Sequence, residues 1–132
     1  MIPLPVHQFA VDTVFPKIAR YLAPAIDHER CSEWTLDSVY QECIAGRMIL
    51  FVDDMLEPKN ALVGSFRVWG GERILYLAFM GGEGKADWRQ AMKQIREFAT
   101  KFGVSRITAN ARDGWAGHLK MRRLVSLYEI EE

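Results

Sequence analysis

Three glycines fall within four positions at Gly81-Gly82-Glu83-Gly84, and Lys85 and Ala86 complete the segment. An apolar run, Ile74 to Met80, leads into it, and an amphipathic stretch begins directly after it. Strand, glycine-rich turn and helix start form a device for holding phosphate. Glycine lets the backbone approach an anion closely, and the unpaired N–H groups of a helix start point at it. Lys85 adds a point charge. A ligand of this chain is expected to lie partly there, from Gly81 to Ala86. The alternative reading is a tight connection and nothing more.

Other chemistry-bearing residue types are scattered. His7, His28 and His118 show no metal-ligand spacing, so no metal site is expected. Cys31 and Cys43 form neither a disulfide framework nor a CxxC pair, which fits a reduced, cytoplasmic setting. Seventeen basic residues balance seventeen acidic ones, which removes any bulk electrostatic argument for nucleic acid or an anionic membrane. The apolar run Met48 to Val52 is too short to span a bilayer. The N-terminus has no basic segment ahead of an apolar one, and Pro3 and Pro5 interrupt it, so no leader is expected.

The elements that must position the turn can be read from periodicity. The 132 residues suit one domain, 1–132, with 49% hydrophobic residues for its core. Residues 4–10 are expected as a first strand, with Pro5 arguing for an edge. A helix capped by Thr13 presents Val14, Ile18, Tyr21 and Leu22, and Pro24 is expected to end it near Ala23. A second helix starts at the cap Thr35, repeats Leu36, Val39, Tyr40, Cys43 and Ile44, and stops at Gly46. Strands are expected at Met48 to Asp53, Ala61 to Trp69 and Glu72 to Met80, the last two joined by a Gly70-Gly71 hairpin turn. The longest helix follows the glycine turn, with Asp87 at its positive end, Trp88, Met92, Ile95, Phe98, Ala99 and Phe102 on one face, and Gly103 closing it. Val104 to Ala111 is a further strand, parallel to the one before the helix. A short helix over Asp113 to Arg123 and a strand over Leu124 to Ile130 complete the order. The fold class is α/β (α+β): a mixed sheet, an antiparallel meander joined to a parallel pair, flanked by helices.

This order, with the turn in its place, resembles the GNAT superfamily of N-acetyltransferases. The likeness covers nearly the whole chain in topology and residues 75–103 in motif. The superfamily's signature is Gln or Arg, two variable residues, Gly, one variable residue, then Gly or Ala. Gly84-Lys85-Ala86 matches its end, and Gly81 stands where Gln or Arg is usual. The resemblance implies acetyl-CoA or CoA bound as a substrate, its diphosphate at Gly81, Gly82, Glu83, Gly84, Lys85 and Ala86. Its pantetheine arm would meet backbone exposed near Ala78 and Phe79.

The resemblance also implies acyl transfer to an amine by direct attack, which needs a base and oxyanion donors. The general acid Tyr of the superfamily has no counterpart: the corresponding positions hold Trp115, His118 and Arg122, and Tyr128 falls in the last expected strand. Glu72 is the only carboxylate on the strand before the turn, at its far end, and reads equally as a surface residue. His118 is a further acid–base candidate, and Asp53 and Asp54 are candidates for a cationic amine or for a solvated strand end. Trp115 can stack on adenine or pack its helix. Arg112, Arg122 and Arg123 can meet a ribose phosphate, a partner, or only water. No catalytic residue is assigned. Two functions stay open: an acyl-CoA-dependent N-acyltransferase of unknown amine or protein acceptor, or a catalytically degenerate GNAT-fold binding or assembly protein. Its small size also resembles GNAT-like proteins of phage.

Overall fold

The computed structural model describes residues 3–28, 33–83, 87–109 and 130. Five strands lie in chain order across one sheet: β1 (Leu4–Pro5), β2 (Ile49–Val52), β3 (Asn60–Trp69), β4 (Glu72–Gly82) and β5 (Arg106–Ala109). The first four pair antiparallel and β5 joins β4 in parallel, so the mixed α/β architecture expected from the sequence is present. Helices α1 (Val11–His28) and α2 (Leu36–Ile44) precede β2, and α3 (Trp88–Thr100) connects β4 to β5. The expected helix over 113–123 and the strand from Leu124 onward, with His118, Trp115, Tyr128 and the late arginines, lie outside the described residues up to position 129.

Each face of the sheet carries its own core. Leu50 and Val52 of β2, Ala61 and Val63 of β3 and Phe79 of β4 pack with Ile18 and Leu22 of α1 and Val39 of α2. Phe51, Leu62, Leu75, Leu77 and Met80 face the other way, onto Trp88, Ala91, Ile95 and Ala99 of α3. The period-2 alternation of the strands therefore distributes one apolar set to each helical layer.

Two early expectations are corrected. The first strand is two residues long and not seven. After Val6 donates to the Leu50 carbonyl at 2.8 Å, the chain turns into a short 3-10 segment over Gln8–Ala10, where His7 Nδ1 accepts from the Phe9 N–H. Helix α1 starts two residues before Thr13 and runs five residues past Ala23, with Pro16 and Pro24 inside it. An interior proline costs roughly 3 kcal/mol. Stopping at Ala23 would uncover Ile26, which is 4% exposed, and burial of such a side chain contributes about 1.5–3 kcal/mol. Packing of the last turn thus offsets the proline.

The second helix begins where the sequence places it. Thr35 accepts from the Ser38 N–H at 3.1 Å, and Ser38 Oγ accepts from the Thr35 N–H at 2.7 Å. Thr35→Ala should therefore cost about 1 kcal/mol, read as a lower urea midpoint with an unchanged slope. The Gly70-Gly71 turn has φ of 55° and 81°, the positive values that a two-residue hairpin needs.

Candidate functional site

Strand β4, which leads into the glycine turn, is irregular. Its pairing with β3 shifts register between Val63 and Gly64, which face Phe79 and Leu77. Ala78 is thus the extra residue of a β-bulge. The packing agrees: Leu75, Leu77 and Met80 reach the α3 layer, whereas Tyr76, Ala78 and Phe79 all reach the α1 layer. Two consecutive side chains on one face is what a bulge produces, and the ladder is locally broken there.

Pairing with β5 runs from Ile74↔Arg106 to Leu77↔Ala109. Ala109 is the last described residue of β5.

The glycines themselves are not where the sequence suggests. β4 continues beyond Met80 through Gly81 and Gly82, which pair with Ala61 and Asn60. Neither has a positive φ among the glycines that do. Their lack of a side chain serves close approach. A Cβ on Gly81 would fall on the Tyr21 carbonyl oxygen of α1, and one on Gly82 would fall on Asn60 Oδ1. The pairing extends one residue further, because the Glu83 N–H donates to the Lys59 carbonyl at 3.1 Å. The Glu83 carboxylate accepts from the Tyr21 hydroxyl at 3.0 Å, and that hydroxyl accepts from Arg20 Nη2 at 2.9 Å. Gly84, Lys85 and Ala86 lie outside the described residues. Helix α3 then starts with Asp87 as its cap, whose carboxylate accepts from the Gln90 N–H at 3.2 Å. A carboxylate of the chain itself thus sits at the positive end of α3.

No known protein-family profile matches this sequence, and no curated protein does. Solved structures do match. An aminoglycoside acetyltransferase from an uncultured soil metagenomic sample, solved with sisomicin, superposes with a TM-score of 0.66 at 10% identity, covering 98% of this chain and 95% of that one. A ribosomal-protein-alanine N-acetyltransferase from Brucella melitensis biovar Abortus gives 0.67 at 13% identity, with 100% of both chains covered. A predicted acetyltransferase from Clostridium acetobutylicum, solved with acetyl-CoA, gives 0.65 at 9% identity over 98% of this chain and 94% of that one.

The chain has the GNAT fold.

Against the GNAT pattern, the candidate acid–base and amine-binding groups separate clearly. Glu72 lies at the start of β4 and pairs with Arg106 at 3.3 Å; both are about half exposed, and the bulge is six residues away. Asp53 and Asp54 are occupied in the β2–β3 connection. Asp53 Oδ1 accepts from the Lys59 and Asn60 N–H groups at 2.9 and 3.1 Å, and its Oδ2 accepts from Asn60 Nδ2 at 2.9 Å. Partial burial pushes the Asp53 carboxyl up, but the hydrogen bonds from Asn60, Lys59 and the local backbone outweigh it and hold it below the usual carboxylate range. Asp54 Oδ1 accepts from the Leu56 and Glu57 N–H groups at 2.8 and 3.0 Å, and these bonds lower its pKa as well. Both acids hold the loop. Asp53 has both carboxylate oxygens engaged, and Asp54 engages its Oδ1.

Cys43 is no nucleophile: burial, then the nearby Glu42 charge, pushes its thiol up to about 12. No group of three or more His, Cys, Asp or Glu suited to a metal occurs among the described residues, and no helix among them is long and apolar enough to cross a membrane. Sequence reasoning missed the bulge, Tyr21, Asn60 and a polar row on β3–β5. The bulge left no mark because Ile74 to Met80 is apolar almost throughout, so a change of parity within it is invisible.

Proposed function

We propose that this chain binds an acyl-CoA along β4 at the Ala78 bulge and transfers the acyl group to an amine by direct attack. The observation that supports this is the Ala78 bulge in β4, the strand that leads into the glycine turn. An extended amide-bearing arm would lie against Ala78 and Phe79, and the diphosphate would lie toward Gly82 to Ala86. Backbone N–H groups at the bulge would meet the oxygen of the thioester as it gains charge. The amine lone pair forms the C–N bond, the tetrahedral oxyanion collapses, and the C–S bond breaks. The proton lost by the amine leaves through water, and the departing thiolate takes one up, so the products are an amide and free CoA.

Calorimetry with acetyl-CoA tests the binding half. A saturable heat and a raised unfolding temperature are expected, both lost in Gly84→Val, whose side chain would occupy the place of the anion. Silence at millimolar acetyl-CoA would remove the proposal.

A second reading is favoured by the carboxylates at the turn. Glu83 and Asp87 flank the segment in which a diphosphate would sit, and Gly81 replaces the Gln or Arg of the GNAT signature. A GNAT-fold binding or assembly protein that no longer turns over accounts for these, and turnover with any amine would exclude it.

A further inference from the structure

The sheet face that carries α1 changes character away from that helix. Ser65 of β3, Tyr76 of β4 and Thr108 of β5 stand side by side in register, Ser65↔Tyr76 and Tyr76↔Thr108. Tyr76 packs toward the α1 layer, and Ile107 and Ala109 pack toward α3, so Thr108 between them shares the face of Tyr76. A polar row thus crosses three strands, two residues before the bulge.

Two features of this row point to a ligand. Arg67 lies with its guanidinium carbon 4.3 Å from the centroid of the Tyr76 ring, and its Nε donates to Ser65 Oγ at 3.3 Å. The guanidinium is therefore held in a fixed plane, and among the described residues it meets no carboxylate. A stacked arginine with its terminal N–H groups unspent is suited to planar, two-point recognition of a carboxylate. Independently, Thr108 is 8% exposed, and its Oγ1 has no hydrogen-bond partner among the described residues. A buried hydroxyl without a partner is costly, and a ligand oxygen would relieve it.

We infer that Arg67 and Thr108, flanking Tyr76 from its two neighbouring strands, hold the carboxylate of the acceptor, so that the acceptor is an amine that itself carries a carboxylate. The inference rests on the acyl-transfer reading above. Tyr76 and Ala78 are two residues apart on one strand, roughly 7 Å. An amine and a carboxylate within one small molecule, as in an amino acid, suit that span. The carboxylate stays ionised and unreacted throughout, and only the amine is acylated.

The test uses the full chain with N-acetylglycine and its neutral counterpart N-acetylglycinamide as probes. N-acetylglycine should shift the Arg67 Nε–H resonance in NMR titration, and the amide should not. Arg67→Met should weaken N-acetylglycine binding roughly 10- to 100-fold, and Arg67→Lys, which keeps the charge but not the fork, should also weaken it. Thr108→Val should weaken it several-fold while raising the unfolding temperature, because an unpaired buried hydroxyl is removed. A purely structural Thr108 would raise stability with affinity unchanged. With acetyl-CoA present, amino acids should be acylated in preference to their amides, and Arg67→Met should erase that preference. Equal binding of the two probes, no binding of either, or a Thr108→Val variant of unchanged affinity overturns the inference. Acetyl-CoA binding on the same preparation separates the two readings. Acetyl-CoA binding without carboxylate preference overturns this inference alone. Carboxylate binding without acetyl-CoA overturns the acyl-transfer reading and leaves Arg67 as a carboxylate site.

Discussion

Replacing Gly81 with alanine is expected to cost at least about 3 kcal/mol of folding stability, the upper range for forcing a group into a packed interior. The added Cβ would fall on the carbonyl oxygen of Tyr21, with the carbonyl carbon 2.9 Å away. The obstruction is backbone, so no rotamer change relieves it. Either α1 lifts from β4 or the end of β4 swings away, and both loosen the layer formed by Ile18, Leu22 and Phe79. Domains of this size hold only about 5–15 kcal/mol in total. Urea unfolding at neutral pH would show the change as a midpoint shift. Gly70→Ala provides the contrast: a Cβ there meets nothing, and the φ of 55° alone should cost about 1 kcal/mol. If the Gly81 variant were no worse than the Gly70 variant, α1 would not be seated on β4 as described. The same experiment bears on function, since any acyl-CoA lost by the Gly81 variant is lost through the strand that carries the bulge.

Asp53→Ala should have the next largest effect, about 3 kcal/mol at neutral pH. It leaves the Lys59 and Asn60 N–H groups and the buried Asn60 Nδ2 without their acceptor, and hydrogen bonds to a charged group contribute about 1.5–3 kcal/mol each before sharing. Asn60 is 6% exposed and its Oδ1 already lacks a partner among the described residues, so loss of Asp53 strands the whole amide. The effect depends on pH. Because the folded pKa of Asp53 lies below the unfolded value of about 4, its contribution is full above that value and disappears as pH falls through the folded pKa. Asp54 has the same sign. Wild-type stability should therefore fall as pH drops below about 4, and the Asp53 variant should fall less over that window. Chemical denaturation at pH 7 and at pH 3 measures both. An equal gap between the two proteins at the two pH values would show that Asp53 titrates normally in the folded state. Its loop also carries Lys59, whose carbonyl receives the Glu83 N–H, so the variant should loosen the entry to the glycine turn.

Local chemistry made several elements legible in the sequence. Thr35 and Gly46 bound α2 because a cap needs a hydroxyl and a left-handed stop needs glycine; Gly46 has a φ of 79°. Gly70-Gly71 specified its hairpin for the same reason. The apolar stripe Trp88, Ile95 and Ala99 set α3 against the sheet. Where local signals competed with packing, packing prevailed. Pro24 reads as a helix stop, yet Ile26 beyond it belongs to the core and holds α1 helical to His28.

The candidate site divides along the same line. That a strand, a glycine-rich segment and a helix follow one another, and that this order suits the GNAT fold, was contained in the sequence by itself, because period and turn chemistry act over a few residues. What Gly81 and Gly82 do was not, because their partners, Tyr21 and Asn60, lie sixty and twenty-two positions away and only a folded chain brings those atoms into contact. The bulge at Ala78 and the row Ser65–Tyr76–Thr108 are likewise properties of strand register. Register is fixed by side chains meeting across a sheet, and no window along one strand contains both partners.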